Sequence, residues 1–409
     1  MECLRAVRES LQLSFVCQIV GLPVFFFTAS SADIQWPDLH QHMPGYDIHA
    51  PETAESYRTR YKNLNDNPAL AAYYFQMRWE CFFKEVLSKR FKIKDYWWRY
   101  EWQHRGSSHV HGFLWIEDAP DIDRLDFAID ADKEAFINYW DQHISTMHPN
   151  RSCEPAPIHP SARLFSTLED TKQELAETLN RFQRHDRCTP GYCLKRRKNA
   201  DGTETQYCRF GFPFKERTTS DFVRPSGKDF PEFHTKRNDT ELNSYNPTFI
   251  LGWRANIDIR PVINREAVIA YVAKYASKGE TKSAAYQDMM KNAISNLSGS
   301  DGAALAYQKM LSAFVGERDI SGQEVCHILF GSDLVRSSRK YQNLPVMMEL
   351  SEEVNFDSGS LQNTAMLDHY LKRSQETEEL QRLTLWEFAQ NWDWKGQCVY
   401  KRGQHQRQG

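Results

Sequence analysis

Three observations predict an α+β fold for this chain. Residues 96–103 and 109–116 alternate as two strands about the turn Arg105-Gly106-Ser107-Ser108. Residues 24–28 are a short apolar run between turn signals, the pattern of a buried strand. Residues 68–92 carry a long amphipathic helical pattern that opens on Pro68, a residue suited to a first helical turn. A hairpin and long helices must share one core.

The other elements follow in order. Residues 5–20 have helical periodicity that Gly21-Leu22-Pro23 ends. Residues 123–148 and 161–184 read as helices separated by a Pro-rich loop. Residues 253–260 alternate as a strand, Asn264 caps a helix over 267–278, and Gly279 stops it. Helices are expected over 281–315 and from Asp319 onward, and the acidic, then basic and Gln-rich tail is expected to be flexible. The expected organisation is 1–150, then an insertion over 151–250 with a cysteine module at 185–217. Residues 251–280 complete the first domain, 281–348 form a helical extension and 349–409 the tail.

A chain of 409 residues with 41% apolar and 26% charged content has the composition of an ordinary globular protein. Its formal charge of −3 excludes a globally basic nucleic-acid binder but not a local basic groove. No signal peptide is expected, residues 11–28 are too broken for a membrane span, and nine unevenly spaced cysteines fit a reducing compartment. The chain has no G-x-x-x-x-G-K-[ST], G-x-S-x-G or H-E-x-x-H motif.

Four constellations carry chemistry. His109 and His111 are two apart on a strand and share a face, with Glu101 and Gln103 in phase on the neighbouring strand. Two imidazoles and a carboxylate on rigid sheet form a divalent-metal site. Tyr271 and Tyr275 are four apart and share a helix face, with Lys274 and Lys278 on an adjoining one. A tyrosine of pKa about 10 attacks a phosphate once cations and a metal stabilise its phenolate. His185, Cys188, Cys193 and Cys208 match a structural zinc set, with Cys153 and His159 as competing ligands. Finally, Arg209, Arg237, Trp253, Arg254 and Asn256 are candidates for phosphate contact and base stacking, while 195–198 reads equally as a solvated loop.

Several blocks together resemble the replication initiator region of Helitron transposons, within the HUH endonucleases. They are Gly21-Leu-Pro-Val-Phe-Phe-Phe-Thr28 with Trp36, Glu101 to His111, Cys193 with Cys208-Arg-Phe-Gly-Phe-Pro213, Trp253 to Pro261, Ala270 to Glu280, and Asp319 to Val325. The resemblance implies a central antiparallel sheet flanked by helices, as in rolling-circle initiators, with a zinc-binding insertion and a helical C-terminal part. It implies Mg²⁺ or Mn²⁺ at His109 and His111 with Glu101 or Gln103. It implies Tyr271 and Tyr275 as nucleophiles that leave a 5′-phosphotyrosine and a free 3′-hydroxyl. Expected partners are single-stranded DNA at transposon ends and a helicase domain outside this chain; a nuclear location and no membrane association are expected. Two rivals stand beside the active enzyme: a host-resident DNA-binding remnant without activity, and a zinc-ribbon interaction module.

Overall fold

The computed structural model describes residues 17, 20–47, 49, 51–102, 106–122, 124–126, 128–163, 171–199, 202–223, 232–263, 268 and 321–339. In a second unit, 340–409, it describes 352–355, 360–363, 366–373, 378–394 and 398–400. The expected helix over 267–278 apart from Val268, the one over 281–315, and nearly all of the one over 5–20 lie outside the described residues.

The first unit is built on five strands: β1 (Phe25–Ser30), β2 (Ile93–Trp102), β3 (Ser108–Ile116), β8 (Ile257–Pro261) and β9 (Val335–Ser337). Their order is β8-β1-β3-β2-β9, with every neighbouring pair antiparallel. The β2–β3 hairpin is the predicted one, extended by a few residues at the open end. β1 inserts between β3 and β8, which is why its apolar run is buried on both sides.

Between these strands stand α1 (Ala54–Asp66), α2 (Pro68–Phe82), α3 (Asp130–His143), α4 (Thr171–Phe182) and α5 (Pro247–Trp253). α2 runs on through a π-helical turn, Phe83–Leu87. Its residues Ala71, Phe75, Trp79 and Phe82 recur at helical spacing and are all buried. They meet the sheet face formed by Phe27, Ala29, Trp98, Tyr100 and Val110, with Trp79 stacked on Phe27 at 5.2 Å and edge-on to Trp98 at 5.7 Å. Aromatic rings therefore dominate this core by area and geometry.

Two small hairpins, β4 (Leu194–Lys198) with β5 (Glu204–Cys208) and β6 (Asp221–Val223) with β7 (Glu232–His234), stand apart from the main sheet. α6 (Gly322–Leu329) begins where a helix is expected, capped by Ser321, whose hydroxyl accepts from the Glu324 amide at 3.2 Å. It packs against the hairpin turn: Gly106 there has φ +82°, a conformation that suits glycine.

The strand expected over 253–260 is corrected. Residues 247–253 are α5, Arg254 takes a left-handed φ of 56° as its C-cap, and the strand starts only at Ile257. Asn246 explains the helix, because its side chain accepts from the Phe249 amide at 3.0 Å and Pro247 fills the first turn. The helices expected over 123–148 and 161–184 are the shorter α3 and α4. In the second unit, expected as a flexible tail, the described residues form two hairpins and three short helices. The hairpins pair Glu352–Asn355 with Ser360–Asn363 and Trp392–Trp394 with Cys398–Tyr400.

Candidate functional site

Strand alternation sorts the sheet into an apolar face and a polar one. Register places Ser30, His109 and Glu101 in one row, and Asp258, Thr28, His111 and Arg99 in the next. Residues paired across strands share a face, so all seven project away from the α2 side. Phe26, Phe113 and Trp97 continue this face and close one end of it with buried rings.

His111 is held from both sides. Its Nδ1 lies 2.8 Å from Thr28 Oγ1, and its Nε2 lies 2.9 Å from Glu101 Oε2. The His109 and His111 rings are nearly parallel, 11° apart, with centroids 6.2 Å apart. Glu101 pairs across from His109 yet reaches the His111 ring diagonally, which strand twist permits. One carboxylate thus touches the two-histidine strand from the position expected of it. Gln103 lies outside the described residues, as do Tyr271, Lys274, Tyr275 and Lys278. Thr28 and Arg99 are members of this face that sequence reasoning missed. Thr28 was signalled only as the polar residue that follows three phenylalanines.

A buried polar group supports the hairpin beneath the histidines. Ser108 donates to Gln323 Oε1 at 2.9 Å, and the Ser31 amide donates to the Ser108 carbonyl at 3.0 Å. The Asp33 carboxylate accepts from the Ile34 amide at 3.1 Å and also faces Gln323, Ser31 and Ser107. Burial pushes the Asp33 carboxyl above the usual carboxylate range.

The second site is the expected cysteine module. His185, Cys188, Cys193 and Cys208 bring their ligand atoms within 4.8 Å of one another. His185 Nε2 is 3.3 Å from Cys188 Sγ and 3.5 Å from Cys208 Sγ. A turn through Gly191, at φ +78°, separates Cys188 from Cys193. The β4–β5 ladder then pairs Leu194 with Cys208 and sets the last sulfur beside Cys193. Burial and the neighbouring sulfurs push the Cys188 thiol up to about 11. Burial opposes the Cys208 thiolate, but the Phe210 and Phe212 amides and the Cys188 and Cys193 thiols leave its pKa below the ordinary value.

One imidazole and three thiols at this spacing fit a tetrahedral zinc ion, and the cluster could bind such a metal. Cys153 and His159 are elsewhere: Cys153 accepts from Gln173 at 3.4 Å, and His159 accepts from the Ser161 amide at 3.2 Å.

The expected DNA-contact residues divide. Trp253 is fully buried and donates from its indole to the Ser30 carbonyl at 2.7 Å, so it packs in the core and offers no face to a base. Arg254 is buried and donates to the Glu174 carboxylate and, at 3.1 Å, to the Arg163 carbonyl. Arg237 is buried too, donating to the Leu242 carbonyl and, at 2.9 Å, to that of Asp239. The Asn256 amide donates to the Phe182 carbonyl at 2.7 Å. All four side chains are engaged within the chain itself. Arg209 stands exposed, as Asn256 does, with its guanidinium 4.6 Å from the Phe210 ring.

The geometry defines an α+β protein with a histidine–carboxylate face on its central sheet and a separate Cys₃His cluster. Residues 5–114 match the Helitron helicase-like domain at the N-terminus, so this segment is a domain of that kind. The match covers β1, β2 and all but the end of β3, and it includes Thr28, Glu101, His109 and His111. No curated protein matches the chain. Among the described residues no helix is long and apolar enough to cross a membrane.

Proposed function

We propose that this chain is a metal-dependent single-strand DNA nicking and joining enzyme of the HUH type, acting in rolling-circle-type transposition in the nucleus. The observation that carries the reading is His111, held between Thr28 and Glu101 beside a parallel His109 ring on one sheet face. The match of residues 5–114 to a Helitron domain supports the same assignment.

Glu101, His109 and His111 would hold Mg²⁺ or Mn²⁺, whose charge polarises a scissile phosphate when bound. Thr28 fixes the imidazole of His111 so that Nε2 faces Glu101. Arg99, across the ladder from His111, adds a cation to the face a phosphate would approach. Tyr271 or Tyr275 attacks phosphorus; the new bond is P–O(Tyr), the P–O3′ bond breaks, and the 3′-oxygen leaves as a hydroxyl after taking a proton. Lys274 and Lys278 would stabilise the phenolate. Two tyrosines allow two successive transfers, and a helicase domain outside this chain would supply the displaced strand. The Cys₃His cluster would hold structural zinc.

The test is incubation with single-stranded oligonucleotide and Mn²⁺, read on a denaturing gel. The parent chain should give a covalent adduct, which Tyr271→Phe with Tyr275→Phe abolishes and His109→Ala removes. An adduct that survives in the double tyrosine variant sinks the nucleophile assignment. DNA binding without any adduct from the parent chain replaces this reading with that of an inactive remnant.

A further inference from the structure

The zinc-set module carries a charge and an exposed surface that its ligands do not require. Residues 185–217 hold eight Lys or Arg against four Asp or Glu, a net charge of +4 in a chain of net charge −3. The β4–β5 register concentrates these cations. Lys195 pairs with Tyr207 and Arg197 with Thr205, so Lys195, Arg197 and Tyr207 share one face of the hairpin. Arg196 is on the other face, 3.8 Å from Glu204. Among the described residues, Lys195, Arg197 and Arg209 have no carboxylate partner.

Three large rings stay in water beside them. Tyr192 is 60% exposed, Tyr207 48% and Phe210 42%. The Arg209 guanidinium bridges two of them, 5.0 Å from the Tyr192 ring and 4.6 Å from that of Phe210. The rings themselves meet edge to face at 5.8 Å. Rings of this size are normally buried, and an exposed group of them marks an interaction surface. The Phe212 ring, by contrast, stacks on His185 at 4.7 Å and ties the ligand cluster to its surroundings.

We infer that Lys195, Arg197 and Arg209, with the exposed rings of Tyr192, Tyr207 and Phe210, form a second nucleic-acid face that takes single-stranded DNA, distinct from the histidine face. Cations spaced along a strand suit consecutive phosphates, and planar rings between them suit unpaired bases; a duplex hides the base faces that such rings need. An acidic protein segment would use the cations but not the rings. The ligand cluster at the root of the hairpin makes the face depend on zinc, because Cys193 and Cys208 anchor its two strands. The inference rests on the reading of this chain as a DNA-processing protein, and adduct formation by the parent chain is scored separately, so either can fail alone.

The experiment measures fluorescence anisotropy of a labelled oligo(dT) of about 16 nucleotides with the zinc-loaded full chain, without added Mg²⁺ or Mn²⁺. Lys195→Ala with Arg197→Ala and Arg209→Ala should weaken binding at least about tenfold at low salt. It should also lower the slope of log K against log salt by about 2, at about 0.7 per phosphate contact. Tyr192→Ala with Tyr207→Ala and Phe210→Ala should also weaken binding about tenfold or more while keeping that slope. Zinc content, read by elemental analysis, should stay at the parent value in both variants, because every substituted side chain lies outside the ligand set. Unchanged affinity and slope in the cation variant overturn the inference. So does parent-like binding by the ring variant with polyglutamate competing as well as oligo(dT), which makes the face a site for acidic polymers in general.

Discussion

Gly112 follows His111 and is the position where a single methyl group should do most damage. It belongs to the core face of β3, between Val110 and Leu114. A Cβ built there would lie 2.6 Å from Phe27 Cζ and 2.6 Å from the Trp97 carbonyl oxygen. Ordinary contact begins at 3.4 Å, so the shortfall is about 0.8 Å on two sides. The Phe27 ring is fully buried and stacked on Trp79, and the Trp97 oxygen is backbone that moves only with the β2–β3 ladder. Replacing glycine within a strand would otherwise gain about 0.5–1 kcal/mol in backbone entropy. Overpacking costs about 1–3 kcal/mol, and the rigid carbonyl puts this site at the upper end. Gly112→Ala should therefore destabilise the first unit by about 2 kcal/mol, lowering the urea midpoint by about 0.7 M at a slope of about 3 kcal/mol/M. Phe27→Leu in the same chain should recover only part of the loss, since the carbonyl clash stays. A Gly112→Ala chain as stable as the parent would refute the β1–β3–β2 register, and with it the placement of His111 beside Thr28.

Thr28→Val keeps the shape of the side chain and removes the oxygen 2.8 Å from His111 Nδ1. It should weaken Mn²⁺-dependent adduct formation about tenfold with little change in oligonucleotide affinity, as removal of a ligand's orienting partner does; equal rates across a Mn²⁺ titration would disprove the positioning role. Cys208→Ser should lose the zinc measured by elemental analysis and unfold the hairpin at 194–208, seen as proteolysis there; a full complement of zinc in this variant excludes Cys208 as a ligand. His40 is fully buried with Nε2 2.8 Å from the Asp33 carbonyl, and burial lowers its pKa from 6.5 to about 4. The neutral form belongs to the fold, so its contribution is whole above pH 6.5 and is lost as pH falls from 6.5 towards 4, by roughly 3 kcal/mol at most. His40→Gln should flatten urea midpoint against pH over that window relative to the parent, and an unchanged pH slope would count against the burial argument.

Local pattern carried the hairpin at 93–116 and the pairing of His109 with His111 on one face. Period-two alternation is a property of the strand itself, and a two-residue spacing fixes a shared face wherever the strand goes. Short spacings likewise made the Cys₃His set legible, because ligands a few residues apart converge through one turn and one hairpin. Trp253 and Arg254 show where such reading ends. Alternation over 253–260 suggested a strand with exposed polar residues, but Asn246 and Pro247 start a helix that reaches Trp253. Whether Trp253 is buried depends on Trp36, Phe75 and Trp79, whose rings surround it from far away in the chain. Arg254 reads as a phosphate contact until Glu174, eighty residues earlier, is found against its guanidinium.

The sequence by itself determined which residues could share a face and which thiols could share an ion, because those relations are set within a strand, a turn or a hairpin. Only the tertiary structure decided that β1 lies beside β3, which puts Thr28 on His111, and that Arg237, Trp253 and Arg254, three of the five expected DNA-contact residues, are buried in the scaffold instead. The physical reason is that burial and non-local pairing are chosen by the whole core at once, through apolar area and satisfied polar groups that no local window contains.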